Sequence, residues 1–165
     1  QAKIVDPQGN EVAQGEVGEL IVKGPGVMTC YYNDEKATAE CLKDGWLYTG
    51  DMAEMDEDGF IYLVDRKKDV IISGGENIYP KEIEDILYGL PFINECALVP
   101  VEDVKWGQVP ALFVAFHDGK SLPPEDIIVF MKDSLAKYKI PKYVKVLTAL
   151  PRNGTGKILR NELKL

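Results

Sequence analysis

The sequence predicts an α+β fold for residues 66–165, preceded by a mostly β segment over residues 1–65. Short runs rich in β-branched and aromatic residues fill the first segment, whereas strand and helix patterns mix in the second without a regular βαβ repeat. The charge also changes between them, because residues 1–64 hold 13 Asp and Glu against 4 Lys and Arg, and residues 65–165 hold 14 against 15. Such a break indicates two structural units with different surfaces.

Four runs in the first segment have the composition of strands: KIVD, GELIVKG, WLYTGDMAEM and FIYLVDR. The last two flank DEDG at residues 56–59, which predicts a hairpin in which Gly59 adopts a positive φ. Between the second and third runs, DEKATAECL at residues 34–42 predicts a short helix that Thr38 weakens.

The second segment begins with DVIIS, a predicted strand that leads into the loop GGENIYP. Pro80 suits the first turn of a helix, where its missing N–H leaves no hydrogen bond unmade. That helix has an apolar face at i, i+3, i+4 and i+7, formed by Ile83, Ile86, Leu87 and Leu90. Gly89 is the predicted end of the helix.

Two strands, ECALVPV and VPALFVAF, follow this helix. Ser121 then precedes LPPEDIIVFMKDSLAKY, a predicted helix with Ile127, Phe130 and Met131 facing inward. YVKVLTAL predicts a further strand, and KILRNELKL predicts a last helix.

Composition argues against several classes of function. No apolar run approaches the roughly 18 residues of a membrane helix, and the first residues lack the pattern of a signal peptide. Neither part carries a basic stripe with interleaved aromatic residues, which disfavours nucleic-acid binding. Three widely spaced cysteines and a single histidine disfavour a zinc site and favour reduced thiols in the cytoplasm.

Two loops carry residues suited to ligand binding. Asp51 in YTGD places an acceptor-only side chain after a glycine, which suits paired hydroxyls such as those of a ribose. An Asp that merely stabilises a turn is the simpler alternative. Gly74 and Gly75 in SGGEN allow a ligand to approach the backbone closely, although no phosphate-binding glycine motif is present. The charged run DRKKD before them reads as a linker.

A third loop, LPRNGTGK, carries Lys157 near the end of the chain. The simple interpretation is a turn at Asn153-Gly154, a helix capped by Thr155, and a solvated lysine. Spacing alone favours this interpretation, because charged residues on loops are usually solvated.

In this combination and order, the motifs resemble those of the adenylate-forming superfamily, which includes acyl-CoA synthetases, peptide-synthetase adenylation domains and luciferases. GWLYTGD, FIYLVDRKKDVIISGGENIYPKEIE and LPRNGTGKI are similar to its nucleotide, hinge and terminal-lysine motifs. GELIVKGPGVMTCYYNDEKAT is similar to a segment of its large N-terminal domain, so the likeness spans nearly the whole chain. Cys30 departs from the usual glycine before Tyr31, which bears on the local backbone and not on the chemistry.

The resemblance implies that residues 1–65 end a large N-terminal domain and that residues 66–165 form a small mobile lid, with a hinge near residues 65–69. It implies the C-terminal portion of an ATP-dependent ligase that first forms acyl-AMP and pyrophosphate, then a CoA thioester and AMP. The superfamily's phosphate loop, acid pocket and Mg²⁺ ligand lie upstream of these motifs, so this chain alone is expected to be inactive. Exposed strand edges in residues 1–65 favour self-association.

The expected small molecules are a carboxylic acid, ATP and CoA. A fatty acid is the first choice of substrate, and an aromatic acid such as succinylbenzoate is the alternative. A peptide-synthetase adenylation domain is a further alternative. From another class, the chain could be a non-catalytic module that binds a nucleotide or a partner protein.

The same resemblance assigns roles to six positions. Asp51 accepts hydrogen bonds from the ribose, Arg66 holds the nucleotide, Lys68 is the hinge, Gly74 and Gly75 fall in the strand that lines the pantetheine tunnel, and Lys157 is catalytic. The Lys157 ammonium would lie between the substrate carboxylate and the α-phosphate and offset the charge that builds up during adenylation. No metal ligand is expected within the chain.

Overall fold

A computed structural model describes all 165 residues as ten strands, three α-helices and three short 3₁₀ turns. The chain forms two compact units, Gln1–Lys68 and Asp69–Leu165, and each contains its own five-stranded sheet. The mixed α+β fold is therefore confirmed. None of the helices has the length and apolarity needed to span a membrane.

The first unit is an antiparallel sheet in the order β1-β2-β4-β3, with β5 also paired to β4. Its elements are β1 (Ala2–Val5), β2 (Gly18–Val22), α1 (Glu35–Cys41), β3 (Leu42–Lys43), β4 (Trp46–Met55) and β5 (Ile61–Arg66). The predicted helix is confirmed as α1, and the Asp34 carboxylate caps it by accepting the Ala37 N–H at 2.9 Å. The predicted hairpin between β4 and β5 is also confirmed, with Gly59 at φ +83°.

The second unit has a mixed sheet in the order β10-β9-β6-β7, with β8 antiparallel and β10 parallel to β9. Its elements are β6 (Ile71–Ser73), β7 (Glu76–Ile78), α2 (Pro80–Tyr88), β8 (Ile93–Asp103), β9 (Gly107–Phe116), α3 (Pro124–Lys132) and β10 (Tyr143–Val146). Pro80 opens α2 as predicted, and Gly89 ends it at φ −67°, in the right-handed region.

Both faces of the long β8–β9 hairpin are buried. Alternate residues such as Cys96 and Leu98 pack with Ile83 and Leu87 of α2 and with α3 on one face. The intervening residues, Ala97 and Val99 of β8 with Ala111, Phe113 and Ala115 of β9, pack against Leu150 and Leu163 on the other face. The C-terminal segment therefore covers the second face of the sheet, and both ends of the Lys157 loop are anchored there.

Three predictions about elements are wrong. The expected last helix is only a 3₁₀ turn at Arg160–Glu162, because Leu159 donates its N–H to Pro151 and Leu163 packs against the sheet. The helix after Ser121 ends at Lys132, since its C-cap Asp133 is followed by a turn and a 3₁₀ segment at Lys137–Lys139. Residues 76–78, read as loop, form β7 because the Gly-Gly turn folds them back onto β6.

Candidate functional site

Asp51 and Arg66 are brought together by the β4–β5 pairing, in which they are direct partners. Arg66 Nε lies 3.0 Å from Asp51 Oδ1, and the aspartate side chain is 29% exposed. Gly50, at φ +72°, precedes Asp51, whose N–H donates to Thr49 Oγ1 at 3.1 Å. One arginine contact leaves most of the carboxylate lone pairs free, so Asp51 can still accept hydrogen bonds from a ligand.

A buried carboxylate that the sequence analysis missed supports this pair. The Glu19 side chain, 9% exposed on β2, accepts from Lys67 Nζ at 2.7 Å and from the Gly50 N–H at 3.2 Å. It therefore holds the residue before Asp51 and the residue after Arg66. The sequence offered one signal for a buried carboxylate. In the run GELIVKG, Glu19 lies two residues before buried Ile21 and therefore on the same face of the strand.

Lys68 lies in the 3₁₀ turn Lys67–Asp69, and the boundary between the two units follows it directly. Its side chain is exposed. Because Lys68 lies outside every strand and α-helix, no strand or α-helix hydrogen bonding restrains its φ and ψ angles.

Gly74 and Gly75 form the two-residue turn between β6 and β7, rather than part of a strand. Their φ values of +61° and +92° are those of a tight hairpin turn that disfavours side chains. A Cβ on Gly74 would lie 2.7 Å from Trp106 Cε3, and the Gly74 N–H donates to the Trp106 carbonyl at 2.9 Å. Gly75 has no atom within 4 Å of such a Cβ, so its backbone is open to approach.

The Lys157 loop is more ordered than its glycine content predicts. Asn153 Oδ1 accepts from the Thr155 N–H at 3.1 Å, the Thr155 hydroxyl at 2.8 Å and the Lys157 N–H at 2.9 Å. The Asn153 N–H donates to the Lys157 carbonyl at 2.9 Å, which closes the loop. The predicted turn at Asn153 is present, but Thr155 caps no helix, because the chain continues into a bridge between Arg152 and Ile158.

The stem of this loop is braced by a second acidic residue that the sequence analysis missed. Glu95 on β8 accepts from Arg152 Nε at 2.8 Å and from the Leu150 N–H at 2.8 Å. These contacts hold the pKa of Glu95 below its ordinary value, chiefly through the Leu150 N–H and then through Arg152, against the opposing effect of burial. Arg152 also donates to the Gly156 carbonyl within the loop.

A third carboxylate fixes the chain just after the loop. Glu84 of α2 is 8% exposed and forms two hydrogen bonds with the Arg160 guanidinium, at 2.7 and 2.9 Å. Glu84 also accepts the Leu98 N–H, and Arg160 donates to the Leu98 carbonyl. Burial next to this pair raises the pKa of the Cys96 thiol to about 12, with the Glu84 charge adding to the effect.

The Lys157 side chain is exposed and forms no ion pair. The structure thus presents an unpaired ammonium on a loop whose backbone is held at both ends. No group of three or more His, Cys, Asp or Glu side chains that could hold a metal is present.

The family of AMP-binding enzyme C-terminal domains matches residues 82–157, which include most of α2 and end at Lys157. Residues 82–157 belong to this family. The resemblance of the chain's motifs to the adenylate-forming superfamily is therefore confirmed.

Two curated relatives extend the match beyond this domain. A feruloyl-CoA synthase from Amycolatopsis sp is 45% identical over 162 residues, which are 98% of this chain and 33% of the relative. A 2-succinylbenzoate–CoA ligase from Bacillus cereus (strain AH820) is 50% identical over 147 residues, 89% of this chain and 30% of the relative. The chain thus spans about a third of the length of the curated relatives it matches.

Several solved structures share this fold over nearly the full length of the chain. The o-succinylbenzoate CoA synthetase of Bacillus subtilis, in complex with its acyl-adenylate intermediate, has a TM-score of 0.92 and 44% identity, covering 99% of this chain and 33% of its own. The same enzyme with ATP and magnesium ion gives 0.90 and 43%, with coverage of 99% and 33%. The amide bond synthetase McbA of Marinactinospora thermotolerans gives 0.89 and 33%, with coverage of 98% and 33%.

Proposed function

We propose that this chain is the C-terminal part of an AMP-forming acid–thiol ligase about three times its length. The carboxylate oxygen of the substrate attacks the α-phosphorus of ATP, and pyrophosphate leaves. The thiol of CoA then loses its proton and attacks the acyl carbon, and AMP leaves. The unpaired Lys157 ammonium on its braced loop is the observation that carries this proposal.

An aromatic carboxylic acid is the proposed substrate, in place of the fatty acid that the sequence analysis put first. The two curated relatives described above are named for ferulic and succinylbenzoic acids, both aromatic. This matches the alternative in the sequence analysis. The cytoplasm, where ATP and CoA are available and thiols stay reduced, is the proposed location.

Asp51 and Arg66 would hold the nucleotide. Asp51 keeps free acceptor sites beside the Arg66 guanidinium, so it suits the two hydroxyls of a ribose. The Arg66 side chain is 54% exposed, which leaves donors for a phosphate or ribose oxygen. Glu19 would keep both residues in place. Mg²⁺ would neutralise phosphate charge and would take its ligands from outside these residues.

Lys157 would act in the first half-reaction only. A carboxylate approaching a polyphosphate meets electrostatic repulsion, and negative charge grows on the oxygens of the transferring phosphoryl group. A positioned ammonium offsets this repulsion and stabilises the transition state. Lys68 would be the hinge whose dihedrals change between the half-reactions. The open backbone at Gly75, in the turn that it forms with Gly74, would admit the pantetheine arm.

The test is Lys157→Ala in the full-length ligase, with each half-reaction measured separately. Adenylate formation, measured by the pyrophosphate released, should slow about 10²- to 10³-fold. This is the usual effect of losing one donor that stabilises transition-state charge. Transfer of pre-formed acyl-adenylate to CoA should stay within about threefold of wild type. Lys120→Ala is the matched control, because that lysine is also exposed, on a loop of the second unit and in no ion pair.

Adenylation by the Lys157→Ala enzyme at the rate of the Lys120→Ala enzyme would refute the proposal and favour a solvated lysine. Equal slowing of both half-reactions with a lower melting temperature would indicate a folding defect instead. The isolated 165-residue chain should catalyse no pyrophosphate exchange, because the proposed acid pocket lies elsewhere in the ligase.

A second candidate differs in the acceptor. The likeness to an amide bond synthetase, at 33% identity and a TM-score of 0.89, supports an amine as the alternative to the CoA thiol. The two candidates share the adenylation step and are separated by supplying pre-formed acyl-adenylate with CoA or with an amine. Faster amide than thioester formation would support the second candidate.

A further inference from the structure

Asn153 has hydrogen bonds that a simple turn residue does not require. Its single side-chain oxygen accepts three donors, and two of them, the N–H and the hydroxyl of Thr155, come from the residue two positions ahead. The third donor is the N–H of Lys157 itself, at 2.9 Å. The backbone atoms of Lys157 are therefore held at both ends, since its carbonyl accepts the Asn153 N–H at 2.9 Å.

This arrangement fixes where the Lys157 side chain begins. A lysine side chain has four flexible carbons, so the ammonium reaches a defined point only if the Cα is fixed. The loop contains two glycines, Gly154 and Gly156, and without side-chain hydrogen bonds they would allow several backbone conformations. The Asn153 oxygen removes that freedom, while Arg152 ties the stem to Glu95 on the rigid β8 strand at 2.8 Å.

We propose that Asn153 is a positioning residue for Lys157, acting through its side-chain oxygen on the Lys157 and Thr155 amides. Because this role rests on the proposed function of Lys157, the two are tested side by side. Asn153 touches no substrate in this role. Its amide nitrogen forms no hydrogen bond within the protein, so only the oxygen is required.

The first test uses hydrogen exchange of the 165-residue chain and needs no activity. The amide protons of Thr155 and Lys157 should be protected in wild type and should lose protection in Asn153→Ala. Asn153→Asp keeps an oxygen at the same position and should restore protection. Asn161→Ala is the matched control, because Asn161 is exposed in the same C-terminal segment and its side chain forms no hydrogen bond.

The second test measures both half-reactions in the full-length ligase. Asn153→Ala should slow adenylation about 10- to 100-fold, as expected when a reacting group is displaced by about 1 Å. Transfer of pre-formed acyl-adenylate to CoA should stay within about twofold of wild type, and the melting temperature should match that of Asn161→Ala. Asn153→Asp should recover most of the adenylation rate, which a purely structural defect elsewhere would not predict.

Two results would overturn the inference. Adenylation within about twofold of wild type in Asn153→Ala, with a strong loss in Lys157→Ala, would leave the proposed function intact and remove the role of Asn153. Unchanged exchange of the Thr155 and Lys157 amides in Asn153→Ala would show that the oxygen does not order the loop. If Lys157→Ala itself has no effect, the proposed function fails, and the exchange experiment still decides whether Asn153 orders the loop.

Discussion

Glu84→Ala should destabilise the second unit far more than its position on a surface helix implies. Glu84 is 8% exposed, and its carboxylate makes two hydrogen bonds to Arg160 and one to the Leu98 N–H. Truncation removes all three contacts at once. The Arg160 guanidinium and the Leu98 amide are left without these partners, although Arg160 still donates to the Leu98 carbonyl at 2.9 Å.

The magnitude follows from the burial of the two partners. Breaking a fully buried ion pair costs about 3–5 kcal/mol, because the remaining charge is left desolvated. The Arg160 side chain is 29% exposed, so water can restore part of its hydration and reduce this figure. Leaving the buried Leu98 N–H unpaired adds about 1–3 kcal/mol. We expect a net loss of about 3 kcal/mol, or about 12–24 °C in melting temperature for a unit of this size.

The assay is urea unfolding of the 165-residue chain, with thermal unfolding as a second measurement. Asp85→Ala is the control, because Asp85 also lies on α2 and forms an ion pair, with Lys81 at 3.2 Å, but its side chain is 62% exposed. Losing that exposed pair should cost no more than about 0.5 kcal/mol. Equal losses in the Glu84 and Asp85 variants would refute the reasoning from burial.

Three further predictions follow from the same structure. Gly74→Ala should lower the free energy of unfolding more than Gly75→Ala. Both variants place a Cβ at positive φ, but only the Gly74→Ala Cβ would lie 2.7 Å from Trp106, so urea unfolding of the two variants isolates that contact. Native Cys96 should resist alkylation, since burial raises its pKa to about 12. The free energy of unfolding should also fall as the pH rises above 9.0, the ordinary value, because the unfolded thiol loses its proton first; alkaline unfolding curves test this. Lys68→Pro in the full-length ligase should slow thioester formation more than adenylation, because proline fixes φ at the proposed hinge; equal loss in both half-reactions would contradict the hinge.

Local sequence signals predicted the elements that are stabilised by hydrogen bonds between residues close together in the sequence. The helix predicted over residues 34–42 and the helix start predicted at Pro80 depend on signals that act within a few residues, so they could be read directly. The predicted helix at the end of the chain failed for the opposite reason. Leu163 packs on a sheet formed far away in sequence, and Arg160 bonds to Glu84, 76 residues earlier. Long-range contacts of this kind override local helical periodicity.

The candidate site divides in the same way. The motifs around Asp51, Arg66 and Lys157 were visible as sequence, and their superfamily is confirmed, while the roles of these residues stay predictions. The carboxylates that hold them were not visible, because Glu19 and Glu95 look like ordinary strand residues.

The sequence by itself therefore determined the superfamily, the α+β class and the positions of the motif residues. Only the tertiary structure decided which partners hold the stem of the Lys157 loop and the neighbours of Asp51 and Arg66, because these contacts join residues distant in the chain. Arg152 meets Glu95 across 57 residues, and Lys67 meets Glu19 across 48. The physical reason is that a buried or partly buried carboxylate needs a hydrogen-bonded or charged partner, and the partner it finds depends on which strands the fold places side by side.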